Sequence, residues 1–433
     1  MTEDIDVVFK EPKTFKQMLK PLNWFCWLMG AGAGRIGGWK KCSILIRLFH
    51  FTVCSVVIAY GIIDFFTIGN ILPSEMFKIM YYMNKAVTYV TSYYYVFLGV
   101  IHKKSWEKFI ERIDHLDRKI RRETSFDDRS TKVKQSFALG LTILMGPISA
   151  VSHILYYKLT DPTQIFTSDL LVYYTIAQSL ISNFWFDVVV STVHQRFKIV
   201  NKLIKQIGDS YAAPWIVLKI QRLRELHHEI CGLVSIVNKV HGTHLLLSSA
   251  NSFMMVLATL FRIYIGVVEL NFGFIMINNV IWIVYATQFA LNCFVCTFTC
   301  REATSTGILI HEVGLKNNQL TNKRLYNNTG VHNNRRSLSY QPEAKTYEGS
   351  CVQNEIAHFS SQLQQNRVSF SACHFFELNN ALLQGFVGVI TTYLIILIQF
   401  YQPDRKSTNL GLTASMSNTT EPFDIYNSTA ADS

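Results

Sequence analysis

Apolar stretches long enough to cross a lipid bilayer recur along this chain, and they constrain its fold more tightly than any other feature. A helix rising 1.5 Å per residue needs about 20 mainly apolar residues to cross roughly 30 Å of hydrocarbon. Runs of that kind lie near 44–68, 76–101, 136–158, 169–193, 244–269, 274–297 and 377–400. The fifth and sixth are nearly fused, with Leu270, Asn271, Phe272 and Gly273 left to turn the chain. An all-α fold is expected, a bundle of seven transmembrane helices. Composition agrees, since only 16% of the residues are charged where a soluble domain carries about a quarter. Residues 1–20 are polar and dotted with lysine, so no signal peptide is read there and the first span serves as its own signal.

Lysine and arginine set the orientation. The N-terminal segment, the 102–135 loop, the 194–243 loop and the 298–376 loop hold 34 of the 41 basic residues and share one side. The opposite side has only Lys158, Arg405 and Lys406. The positive-inside rule then puts the N-terminus in the cytosol and the C-terminus outside, the reverse of a G-protein-coupled receptor. Three parts are expected: a cytosolic segment 1–43, a membrane domain 44–400 and an extracellular tail 401–433. The net charge of +11 is thus a topology signal and does not point to nucleic acid. Sequons at Asn418 and Asn427 fall in the outer tail, where glycosylation is expected, whereas the one at Asn327 falls inside.

The cytosolic loops differ in character. Ile199, Leu203 and Ile207 recur at steps of four, as expected of helices that run on from the membrane. The stretch 314–350 is rich in asparagine and is expected to be disordered. Val352, Ile356, Phe359 and Leu363 then mark an amphipathic helix leading into the last span. The nine cysteines include Cys293, Cys296 and Cys300 on one helical face, but no histidine or fourth cysteine completes zinc spacing nearby. They are read as reduced packing residues, with no metal or cofactor expected.

The last apolar run closes with Thr392 and Tyr393, five apolar residues, then Gln399 and Phe400. This pattern resembles the family motif of insect gustatory receptors. Phe370 to Cys373, Leu378 with Asn379, and Arg301 with Glu302 are similar to the same family. The resemblance implies a ligand-gated cation channel, not an enzyme, in the plasma membrane of sensory neuron dendrites. It also implies a homotetramer, or a hetero-oligomer with related receptors, with four copies of the last helix around a central pore and a shared cytosolic helical anchor. On a helix Tyr393, Ile396 and Phe400 share a face, with Gln399 beside them. Four copies of Ile396 and Phe400 around an axis would close a pore by dewetting. A ring of Gln399 amide oxygens would meet a partly dehydrated cation without fixed charge, and would discriminate poorly among small cations.

Ionisable residues inside spans are functional candidates by default. Asp64, Lys85, His153 and Arg262 fall in outer halves of their spans, with Tyr82, Tyr173, Tyr174, Gln178, Asn279, Trp282, Tyr285 and Gln288 at similar depth. Tyr and Trp offer broad apolar faces with one polar atom, suited to stacking on an alkaloid or a sugar ring. These twelve form the expected ligand site, and Trp282 is its leading member. The expected function is a tastant-gated, non-selective cation channel, by default for bitter or plant secondary compounds, alternatively for sugars. A G-protein-coupled receptor is disfavoured by the inverted charge bias and by the lack of Asp-Arg-Tyr after the third span. A transporter or membrane enzyme lacks any visible repeat or catalytic constellation.

Overall fold

The computed structural model describes residues 14–31, 40–68, 75–125, 129–160, 167–207, 213–268, 270–330 and 342–400. Its helices are α1 (Phe15–Met18), α2 (Lys20–Leu28), α3 (Lys40–Ile68), α4 (Glu75–Ile101), α5 (Lys103–Glu123), α6 (Arg129–Thr160), α7 (Thr167–Lys205), α8 (Ala213–Val268), α9 (Phe272–Gly330), α10 (Pro342–Gln365) and α11 (Asn380–Phe400). Two short antiparallel strands, β1 (Ser371–Ala372) and β2 (Phe376–Glu377), precede α11. Each of the seven expected spans coincides with a long helix: α3, α4, α6, α7, α8, α9 and α11. Among the described residues, segments of five of these, in α3, α7, α8, α9 and α11, are long and apolar enough to cross a membrane by length and composition alone. In α4 the polar positions Lys78, Asn84 and Lys85 dilute the apolar run.

The cytosolic loops are largely helical, as the step of four predicted. Helices α7 and α8 continue far beyond membrane length, and Leu203 and Ile207 are buried. Amphipathic α5 buries Trp106, Phe109, Ile113, Leu116 and Ile120 at steps of three and four. In α10, Val352, Ile356 and Phe359 are fully or nearly buried. Burial of each such side chain contributes about 1.5–3 kcal/mol. Gly314 of α9 lets Ile356 approach: a Cβ there would lie 3.3 Å from Ile356 Cδ1.

Three boundaries differ from expectation. Helix α9 runs on to Gly330 and α10 starts at Pro342, so much of 314–350 is helical and not disordered; residues 331–341 lie outside the described residues. Asn317, Asn318, Asn322, Asn327 and Asn328 ride on a helix whose preceding turns pack, through Ile310 and Val313, in the same core as Ile356. The last helix begins at Asn380, because 371–377 fold as a hairpin. The α8–α9 turn is tighter than four residues, with Leu270 at φ 53° and Asn271 N–H donating to Gly266 O at 2.8 Å. The tail, with Asn418 and Asn427, lies outside the described residues.

A buried ion pair fixes α5 to α7. Arg196 Nε and Nη2 donate to the two oxygens of Asp117 at 2.9 and 2.7 Å, and the Arg196 side chain is fully buried. Nearer the end of the cytosolic core, burial pushes His227 down to about 4 and the Cys231 thiol up to about 12. Among the described residues no group of three or more His, Cys, Asp or Glu is placed to hold a metal ion.

Candidate functional site

Helix α11 is tied down at its start. Asn379 Oδ1 accepts from the N–H of Leu382 at 2.9 Å, a helix cap. Asn380 exchanges bonds with Thr297 of α9, whose Oγ1 accepts from Asn380 N–H at 3.1 Å. From there one face of α11 packs inward. The Phe386 ring stacks on Phe289 at 4.3 Å and meets Phe253 edge-on at 5.9 Å. Ile390 joins a core cluster, and Leu397 packs with Leu257, Phe261 and Ile265 of α8.

Much of the rest of its circumference is open in the single chain. Gly385, Val389, Thr392, Ile396 and Gln399 follow one another at steps of four and three, and all five are exposed. A Cβ at Gly385 or at neighbouring Gly388 would meet nothing within 4 Å. Thr392 Oγ1 donates to Gly388 O at 3.0 Å. Ile396 and Gln399, expected from the motif, sit on this stripe, and Phe400 at 61% exposure flanks it. Tyr393 leans the other way, edge-on to Phe253 at 6.1 Å. Gly385, Gly388 and Val389 join Thr392 of the motif on this open side, and the same helical spacing counted backwards from Ile396 and Gln399 finds them.

The twelve expected ligand residues do not form one group. Towards the outer end of α4, Lys85 Nζ stands 4.3 Å over the Tyr81 ring, and Tyr82 meets Tyr81 edge-on. The α3–α4 contacts Ser55–Tyr93 and Gly61–Tyr89 place position 64 level with Lys85. The side chains of Asp64 and His153 lie outside the described residues. Arg262 is half-buried on the outer part of α8. Tyr173 and Tyr285 share the core cluster that holds Ile390 of α11, together with Ile281. Trp282, beside Ile281, donates from Nε1 to Asn279 Oδ1 at 2.9 Å.

Three other residues are committed elsewhere. Tyr174 meets His50, whose Nε2 binds Leu28 O at 2.8 Å, and Gln178 Nε2 donates to Met29 O at 3.2 Å. Both clamp the end of α2 against α3 and α7, where Gly30 adopts φ 71° to pass His50. Gln288 Nε2 donates to Asp187 Oδ2 at 3.0 Å. The Asn292 amide, turned with its nitrogen towards the carboxylate, donates to Asp187 Oδ1 at 2.9 Å. Ser248 Oγ donates to Asn183 Oδ1 at 2.8 Å in the same buried network. Gln288 therefore belongs to an inner polar knot joining α7, α8 and α9, one turn from Trp185, whose Nε1 donates to Asn23 of α2.

Comparison with known proteins agrees with this architecture. The family model for the 7tm chemosensory receptor matches residues 19–329 and 325–402. The chain belongs to the 7tm chemosensory receptor family. It is accordingly a multi-pass membrane protein. Gustatory receptor 2a of Drosophila melanogaster is 23% identical over 314 residues, which cover 66% of each chain. The Drosophila melanogaster gustatory receptor for bitter taste 66a is 24% identical over 42% of this chain and 30% of its own length. The chain thus aligns with 66% or less of either relative. The olfactory receptor OR5 of Machilis hrabei has the same fold, with a TM-score of 0.57 at 13% identity over 89% of this chain and 98% of that one. Its complex with eugenol gives a TM-score of 0.55.

Proposed function

We propose that this chemosensory receptor is a tastant-gated, non-selective cation channel in which four copies of α11 surround the pore. The observation that carries the proposal is the open stripe of α11, where Gly385, Thr392, Ile396 and Gln399 lie on the face turned away from α8 and α9. A helix facing only lipid gains nothing from a glutamine amide and a small polar residue on its open side, since polar groups in hydrocarbon need partners. Four such stripes around an axis give a wide inner mouth at Gly385 and Gly388, an apolar constriction at Ile396 and an amide ring at Gln399. Closure by Ile396 dewetting and opening by its displacement from the axis follow from that order.

The ligand would enter the outer half of the bundle between Lys85, Tyr173, Arg262 and Trp282. Tyr173 and Tyr285 pack in the same cluster as Ile390, so a ligand that reshapes this cluster moves α11. It opens the channel to the extent that it binds the open arrangement more tightly. Bitter or plant secondary compounds are the proposed ligand class, supported by a relative that is a receptor for bitter taste; sugars are the alternative. The proposed location is the plasma membrane of sensory neuron dendrites, with the N-terminal segment in the cytosol and the tail outside.

Currents in excised patches from cells expressing the chain alone, with alkaloids, glycosides and sugars applied without GTP, test this. The expected result is a ligand-evoked cation current whose reversal potential or conductance changes in Gln399→Ala. A response that requires GTP would overturn the channel assignment in favour of coupling to a G protein.

A further inference from the structure

A cleft of about 560 Å³ opens between the first half of α8 and residues 365–374, the segment that joins α10 to the hairpin, on the side that the positive-inside rule assigns to the cytosol. His228, Lys239, Arg367 and His374 line it, and none of its lining residues is acidic. All four of these side chains are exposed. The contrast with the rest of cytosolic α8 is sharp. Lys219 and Arg222 pair with Glu123, and Arg224 pairs with Glu355 at 2.7 Å. Lys239 and Arg367 make no ion pair among the described residues.

The wall carrying His374 is held in a shape that costs energy. Cys373 and His374 both adopt left-handed backbone, at φ 50° and 64°, in the turn closed by Phe375 N–H on Ala372 O at 3.0 Å. Asn238 grips the strand before it, donating to Ser369 O at 2.8 Å and accepting from Ser371 N–H at 3.2 Å. Gly242 permits the close approach, since a Cβ there would stand 3.2 Å from Cys373 N. Unpaired cations are thus gathered around a preformed concavity, an arrangement that binds a compact polyanion and repels a cation. Lys239 lies five residues before the expected start of the fifth span, about 7 Å below the hydrocarbon at 1.5 Å per residue, which is headgroup depth.

We infer that this cleft binds a phosphate-rich anion, with the headgroup of a polyphosphorylated inositol lipid of the inner leaflet as the source its depth favours. The inference stands apart from the channel proposal, because binding is measured directly. The full chain in detergent is titrated with a fluorescent short-chain phosphatidylinositol bisphosphate and, separately, with soluble inositol trisphosphate. The expected result is saturable lipid binding, weakened about fivefold by Lys239→Gln and again by Arg367→Gln. Lys108→Gln, on the exposed side of α5, should leave it unchanged. Binding of the soluble phosphate alone, with the same dependence on Lys239 and Arg367, would keep the anion site and name a soluble source. Absence of binding to either probe, or affinities indifferent to both substitutions, would overturn the site.

Discussion

The cytosolic ends of α5, α7, α8, α9 and α10 spend their apolar residues on one another, whereas α11 holds most of its own in reserve. The membrane part of α7 is packed as well: in an 18-residue apolar stretch of that helix 94% of the residues are buried within the chain, against 11% in α11. The cytosolic region adds directional locks: the Arg196–Asp117 pair, the Lys119–Glu229 pair and the Asn201 amide donating to Glu302 and Ser305. Helix α11 has one packed edge, an anchored start and an open stripe. The difference teaches that a single chain packs its long helices against one another but leaves most of its last helix uncovered.

The largest effect is expected where the locks are buried. Asp117→Ala removes the carboxylate partner of the buried Arg196 guanidinium and should destabilise the protein by about 3–5 kcal/mol; surface expression and thermal unfolding in detergent would show it, and a wild-type melt would dissolve the contrast. Next in size, Gly388→Phe should cut single-channel conductance several-fold without lowering the melting temperature, because a Cβ there meets nothing of its own chain within 4 Å. Trp282→Ala should shift the ligand dose–response about tenfold, equivalent to about 1.4 kcal/mol, with assembly intact; an unmoved curve removes Trp282 from the ligand site. The smallest effect concerns His227. Its folded form stays neutral down to about 4 while the unfolded imidazole charges below 6.5, so stability should fall as pH drops through that window. His227→Phe should flatten the slope by about one proton, measured from melts at successive pH values.

Much of the anchor was legible because amphipathic periodicity survives wherever a helix has one wet face. The steps at Ile199, Leu203 and Ile207 and at Val352, Ile356, Phe359 and Leu363 predicted both cytosolic helices. The helix through 314–330 was not legible, since asparagine-rich composition reads as coil and the packing that orders the preceding turns comes from α10, distant in sequence. Within the candidate ligand set, position along a span fixes depth but not the partner a side chain bonds. The amides of Gln178 and Gln288 bond partners 149 and 101 residues away, contacts with no local sequence signal. Tyr94 and Tyr95 pack within the bundle, Tyr95 with its hydroxyl 3.3 Å from Ser179 Oγ. On α11 the motif named Ile396 and Gln399, while the glycines beside them carried no hydropathy signal at all.

The most direct test of the central claim is thiol accessibility along α11 during ligand-evoked current. Thr392→Cys and Gln399→Cys stand on the open stripe, and Leu397→Cys faces Leu257 and Phe261 of α8. A small, water-soluble charged thiol reagent should alter the current through the first two within seconds of opening and leave both Leu397→Cys and the unsubstituted chain unaffected. Equal indifference at all three positions would place the ion path elsewhere and contradict the account.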